Sequence, residues 1–250
     1  MATQETQETG EGAAVETEEP PRDFRRIGHK GADTIVEGNT IESFEMAVEV
    51  GVDMVELDVL RTREGQLIVA HDYLDAADRR PLTLSQALDA FRHAPLDEVE
   101  IDCDLKLAGR EAELAGVIAG HGLTERTMVS TMEIESLVKL RSIDSDLRLG
   151  WTIPKTRRDW TRDRWARPAL GAGLALMRRR LPKLIAERAP GLDVDAIWSY
   201  HPLVTAEAVE AAHDAELELF AWTVDTPERV AELAALGVDG IVSNDPRLLN

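Results

Sequence analysis

The chain has 250 residues, 44% of them apolar and 4% aromatic, with a formal charge of −19. That length suffices for one large domain with a sizeable core, an α/β barrel included. The acidic balance argues against nucleic acid or an anionic membrane as a partner of the chain as a whole. One cysteine, Cys103, excludes an intrachain disulfide and fits a reducing compartment. The N-terminus has no basic start followed by an apolar run, and the longest apolar run, 169–177, is far short of the roughly 20 residues of a membrane helix. The expectation is a soluble, cytoplasmic protein.

Residues 1–20 carry six glutamates and no basic residue, and Pro20-Pro21 closes the segment. Such a stretch cannot bury enough apolar surface to offset its ordering entropy, so 1–22 is expected to be a disordered acidic tail. From Phe24 onward short apolar runs alternate with amphipathic stretches. Strands are predicted over 24–28, 52–58, 67–71, 98–105, 126–131, 147–152, 195–199, 217–223 and 238–243. Helices are predicted over 40–50, 83–93, 109–120, 133–142, 203–214 and 226–236, with Gly51, Gly122 and Gly237 at their ends. Strand–helix alternation means a parallel sheet with right-handed crossovers. With 66–71 set aside as a side hairpin, eight strands remain, which predicts a TIM (β/α)8 barrel over 23–250. The segment 155–190 departs from this rhythm, with 11 Lys/Arg against 3 Asp/Glu, and with Trp160 and Trp165 among arginines. It reads as a helical insertion after the fifth main strand. It either covers the barrel or caps the site toward an anionic substrate or a lipid surface.

Strand alternation puts Met54, Glu56 and Asp58 on one face and Val55, Leu57 and Val59 on the other. In a barrel the acidic set points inward, where two neighbouring carboxylates repel and unpaired burial is costly. A divalent cation resolves that conflict. The strand ending at Lys106 repeats the device with Asp102 and Asp104; Asp104 would complete a three-carboxylate site, and Asp102, one layer deeper, is its rival. All-oxygen ligation points to Mg²⁺ or Ca²⁺. Lys106 lies one step further out, in reach of a phosphate. His29 ends the first strand and His71 the hairpin strand, so both face the mouth that holds the acids. Such a pair can divide acid and base work on a phosphate ester.

The order His29-Lys30-Gly31, Gly38-Asn39-Thr40, Glu56-Leu57-Asp58-Val59, His71-Asp72, Asp104-Leu105-Lys106, Ala221-Trp222-Thr223-Val224 and 237–246 resembles the glycerophosphodiester phosphodiesterase family over roughly 25–249. The resemblance implies a TIM barrel that hydrolyses glycerophosphodiesters to an alcohol and glycerol 3-phosphate. It implies His29 and His71 as acid/base catalysts and Glu56, Asp58 and Asp104 as ligands of one divalent metal. Lys30, Lys106 and Trp222 are then the substrate contacts. The chain departs from the family where Lys30 replaces an arginine, Gly38 a glutamate and Asp104 a glutamate. A lysine presents a point charge where arginine offers a planar fork. Related sphingomyelinase-D-like phospholipases also carry an aspartate at the position of Asp104. Two other readings follow: a phospholipase-D-like enzyme meeting a lysolipid through 155–190, or a barrel that binds a phosphorylated ligand without turning it over.

Overall fold

The structure is a computed structural model that describes residues 24–155 and 167–250. The acidic tail expected over 1–22 lies outside the described residues, as do Trp160 and Trp165.

Among the described residues nine strands form one sheet. They are β1 (Arg25–Gly28), β2 (Met54–Arg61), β3 (Leu67–Val69), β4 (Glu100–Leu105), β5 (Thr127–Thr131), β6 (Arg148–Ile153), β7 (Ala196–Tyr200), β8 (Glu218–Trp222) and β9 (Gly240–Ser243). β1 pairs in parallel with both β2 and β9, so eight parallel strands close on themselves. β3 lies outside the ring, antiparallel to β2 with Val59 opposite Val69. The barrel and its side hairpin are as predicted, with strand ends shifted by a few residues.

The two faces of each strand have different fates. Val55, Leu57, Val59, Ile101, Cys103 and Leu105 belong to the continuous apolar layer between barrel and helices. Facing inward, Ile27, Met54, Met128, Ala196, Trp198, Phe220 and Val242 form a separate plug. Trp198 and Phe220 meet edge to face at 5.0 Å. A Cβ on Gly150 would lie 2.5 Å from the Trp198 indole, so that ring fits because β6 has no side chain there.

Among the described residues eight α-helices surround the sheet: α1 (Ile41–Val50), α2 (Tyr73–Asp78), α3 (Leu84–Ala90), α4 (Glu111–Gly120), α5 (Ile134–Ile143), α6 (Arg167–Arg188), α7 (Ala206–His213) and α8 (Pro227–Ala235). Thr40 caps α1 by accepting from the Ser43 amide, and Gly51 ends it at φ 99°, a left-handed conformation that suits glycine. The sequence reading has no counterpart to α2. This helix has six residues, none buried, so it leaves no apolar period to detect. Among the described residues, the expected insertion contributes the 22-residue helix α6. Its C-terminal half is the barrel's own fifth helix, with Leu181 and Ile185 buried and α7 beside it. Leu176 and Met177 are exposed further back along it. Among the described residues no helix is long and apolar enough to cross a membrane.

Candidate active site

The C-terminal ends of β2 and β4 build the acidic centre. Their register sets Glu56 beside Asp102 and Asp58 beside Asp104. Glu56, Asp58 and Asp102 are buried, and Asp104 is half-buried. One oxygen from each of Glu56, Asp58 and Asp104 lies within 4.8 Å of the others, a spacing that can hold a metal ion. Asp102, the rival ligand, turns away from that group and accepts a hydrogen bond from Ser130 Oγ at 2.7 Å.

The centre shows its need for positive charge. Burial, and then the charge of Asp58, hold the Glu56 carboxyl well above its ordinary range. Burial raises Asp102 in the same way, with Asp104 adding to it. Burial opposes ionisation of Asp58 too, but Lys106, His71 and His29 outweigh it and bring this carboxyl below the usual range. Lys106 Nζ bonds Asp104 Oδ2 and pairs with Asp58 Oδ1. Three converging carboxylates, two of them sharing one ammonium, fit a divalent cation. Lys106, expected at a phosphate, pairs with two of the acids at that mouth.

Asn39 fixes Asp58 from the other side. Its Nδ2 donates to Asp58 Oδ2 at 2.7 Å, while its Oδ1 accepts from the Asp58 amide at 3.0 Å. Asn39 is buried and sits at φ 59°, which asparagine tolerates better than most residues. The turn before it brings the Lys30 amide to Glu56 Oε2 at 2.8 Å. Gly31 allows that turn: at φ 89° any Cβ would meet the backbone of Ser43 at 2.6 Å. The Lys30 side chain pairs with Asp33 at 2.6 Å.

His29 follows β1 directly. Its Nδ1 lies 2.6 Å from Asn244 Oδ1 and its Nε2 lies 3.9 Å from Glu56 Oε2. Burial lowers its pKa below the ordinary histidine value, against the pull of Asp58. His71 stands two residues past the end of β3. Its side chain is 54% exposed, against 21% for His29, and Nδ1 lies 3.2 Å from Asp72 Oδ2. Asp72 also caps α2 by accepting from the Leu74 and Asp75 amides. His71 and Lys30 face a cleft of about 320 Å³, shared with Asn39, Asp75 and Arg79. Trp222 ends β8, its ring 5.4 Å from that of Tyr200, and its Nε1 is buried with no hydrogen-bond partner. His201 follows β7 at the same end of the barrel. Burial, with Arg229 adding to it, lowers its pKa to about 4.

The structure thus brings together Glu56, Asp58, Asp104, Lys106 and His29. Lys30 and His71 lie at the adjoining cleft, and Trp222 at the end of a strand across the barrel. Sequence reasoning gave no role to Asn39, Asp225 or Asn244. Asn39 and Asn244 lie inside motifs named above without a role of their own, and the link from Asn244 to Asp225 and His29 shows only through the pairing of β1, β8 and β9.

Comparison with known proteins places this geometry in a family. A glycerophosphodiester phosphodiesterase of Caldanaerobacter subterraneus subsp. tengcongensis is 27% identical over 258 residues, covering 89% of this chain and 95% of that protein. The crystal structure of a glycerophosphodiester phosphodiesterase from Parabacteroides distasonis matches with TM-score 0.69 at 18% identity, covering 89% of this chain and 93% of that one. An Oleispira antarctica phosphodiesterase in complex with the product sn-glycerol-3-phosphate matches with TM-score 0.65 at 16% identity, over 88% of this chain and 93% of that one. The profile of the glycerophosphoryl diester phosphodiesterase family matches residues 29–100 and 95–248. The chain belongs to that family and is an enzyme of the phosphodiesterase class.

Proposed function

We propose that the chain hydrolyses glycerophosphodiesters to an alcohol and glycerol 3-phosphate, with a divalent cation and two histidines. The observation that carries this reading is the convergence of Glu56, Asp58 and Asp104 within 4.8 Å, with His29 Nε2 3.9 Å from Glu56. Mg²⁺ or Ca²⁺ held by these three carboxylates would supply Lewis acidity at a phosphoryl oxygen.

The protein's own groups do the rest. His29, kept neutral by burial, takes the proton of the attacking oxygen, either water or the neighbouring hydroxyl of the glycerol. His71, more exposed, gives a proton to the departing alcohol oxygen. Attack by the glycerol hydroxyl forms a cyclic phosphate, which water then opens. Lys30 and Lys106 bring ammonium charge to the phosphate, and Trp222 forms a wall of the pocket. The product bound by the Oleispira antarctica phosphodiesterase supports the glycerol phosphate half of the substrate.

The test is release of glycerol 3-phosphate from glycerophosphocholine, with and without a chelator. Activity is expected to vanish in chelator and to return with Mg²⁺ or Ca²⁺. His29→Ala is expected to lower kcat by about 10²-fold or more, the usual range for loss of a positioned acid or base. Unchanged hydrolysis in chelator, or in His29→Ala, overturns the mechanism.

A second reading has one observation in its favour. Leu176 and Met177 are exposed on α6 beside Arg178, Arg179 and Arg180, a combination suited to a lysolipid or lipid surface. Substituting both apolar residues by serine would then lower turnover of a lysolipid while sparing glycerophosphocholine. Equal effects on both substrates argue against it.

A further inference from the structure

A histidine can accept a proton at Nε2 only if its neutral form carries the hydrogen on Nδ1. Which nitrogen holds it is set by the partner of the other one. In this barrel the partner of His29 comes from the last strand. β1 runs beside β9 with Gly28 opposite Ser243, so the next residues, His29 and Asn244, emerge side by side. The His29 amide donates to the Ser243 carbonyl at 2.9 Å, which continues the ladder by one bond.

An asparagine side chain has a donor end and an acceptor end, and by itself would serve either tautomer. Asp225 removes that freedom. The Asn244 Nδ2 donates to Asp225 Oδ2 at 2.7 Å, and the Asn244 amide donates to Asp225 Oδ1 at 3.0 Å. Ser243 Oγ donates to the same Oδ1 at 3.3 Å. An ionised carboxylate only accepts, so the amide nitrogen of Asn244 must face Asp225. A flipped amide would set two oxygens against each other at that distance. Oδ1 is therefore turned to His29, 2.6 Å from Nδ1, and an oxygen there requires the hydrogen on Nδ1. Asp225 is itself anchored, because the Val224 amide donates to the Val242 carbonyl at 2.8 Å and holds the chain after β8 against β9.

We infer that Asn244 and Asp225 are positioning residues for the reaction: together they hold His29 as its Nδ1–H tautomer, with Nε2 free as the proton acceptor. Asp225 orients Asn244, and Asn244 orients His29. The inference rests on the reading of His29 as the base.

The test uses the full chain, with glycerophosphocholine as substrate. Asn244→Ala and Asp225→Ala are each expected to lower kcat about 10- to 100-fold, the range seen when the partner of a site ligand is removed, with KM within about twofold. The double variant Asn244→Asp/Asp225→Asn exchanges donor and acceptor but keeps every contact. It is expected to recover most of the loss seen in either substitution alone. Nitrogen-15 NMR of histidine-labelled protein is expected to show His29 with Nδ1 protonated and Nε2 unprotonated, and a mixture of tautomers in Asn244→Ala. If the alanine variants fail to fold, the double variant carries the test. Folded with near-native kcat it supports the inference; folded with kcat down tenfold or more it overturns it. A protonated Nε2 in the neutral native protein, or an Asn244→Ala enzyme with kcat within twofold of native, also overturns it. His29→Ala separates this from the parent reading. Its full activity removes His29 as the base, whereas its loss beside an unaffected Asn244→Ala removes the positioning role alone.

Discussion

The two ends of the barrel treat charge in opposite ways. At the floor Arg25, Glu100, Arg148 and Glu218 are the first residues of β1, β4, β6 and β8. Arg25 reaches Glu218 at 2.8 Å and Glu100 at 3.8 Å, and Arg148 reaches Glu218 at 3.0 Å and Glu100 at 3.3 Å. Two cations and two anions alternate in a closed ring that caps the apolar plug and leaves no net charge to satisfy. At the mouth Glu56, Asp58 and Asp104 converge above the buried Asp102, and the Lys106 ammonium pairs with Asp58 and Asp104. Both ends use the same device, an alternate inward residue of a parallel strand. The floor is complete by itself, whereas the mouth is short of positive charge. A balanced ring has no use for a ligand; a buried surplus of carboxylates creates affinity for a cation.

That contrast can be broken first at the mouth. Asp58→Asn is expected to lower turnover by at least about a hundredfold, beyond the range for a residue that merely supports a ligand. In the native protein Mg²⁺ or Ca²⁺ at 100 times its dissociation constant adds about 2.7 kcal/mol of stability. For a domain of this size that raises the melting temperature by roughly 5–10 °C. Asp58→Asn should lose most of that rise, and differential scanning calorimetry with and without the cation reads it directly. An equal rise in the variant would mean that the cation binds elsewhere.

The floor should respond in the opposite sense. Arg148→Ala leaves Glu100 and Glu218 sharing one arginine. With side chains about one-third exposed, the cost is expected at about 1 kcal/mol, the upper range for solvent-screened pairs. Urea unfolding measures the loss, and kcat should stay within about twofold because the ring is remote from the reacting groups. A large fall in kcat with intact stability would erase the distinction between the two ends.

The smallest effect is expected at His201, at the rim of the mouth. Its folded pKa is lowered to about 4 from the ordinary 6.5 by burial and by Arg229. Between those values the unfolded chain binds the proton and the folded protein does not, so this residue stabilises the fold less as pH falls from 6.5 to 4. His201→Gln should therefore make the melting temperature less steep over that window. A slope identical to that of the native protein would show that His201 charges equally easily in both states.

How far the sequence carried the site depends on the range of each interaction. Glu56 and Asp58 were legible because strand alternation is local, and Asp104 because β4 repeats the pattern. The choice between Asp104 and Asp102 needed the strand register and Ser130 of β5. The barrel followed from nine apolar runs and their glycine-ended helices. α2 did not, since it has no fully buried residue and is held by polar contacts such as the Asp72 cap and the Arg79–Asp75 pair. Lys106 was legible as a member of the site, but its contact with two carboxylates depends on β2 and β4 lying side by side. Asn244 stood in the recognised motif 237–246, but its link to Asp225 and His29 was beyond reach. Neither polar residue shows that link until β9 is set between β1 and β8, and Asn244 lies 215 positions from the histidine it touches.

The pairing of β1 with β9 has a consequence for the chain during synthesis. His29 is made among the first barrel residues and Asn244 among the last, and Arg26 reaches Asn250 at 3.1 Å across the same seam. A nascent chain that has all three carboxylates still lacks the neighbour that orients its first histidine. On the proposed mechanism, chemical competence therefore arrives with the final stitch of the ring, because a chain truncated before β9 has no Asn244 to set beside His29.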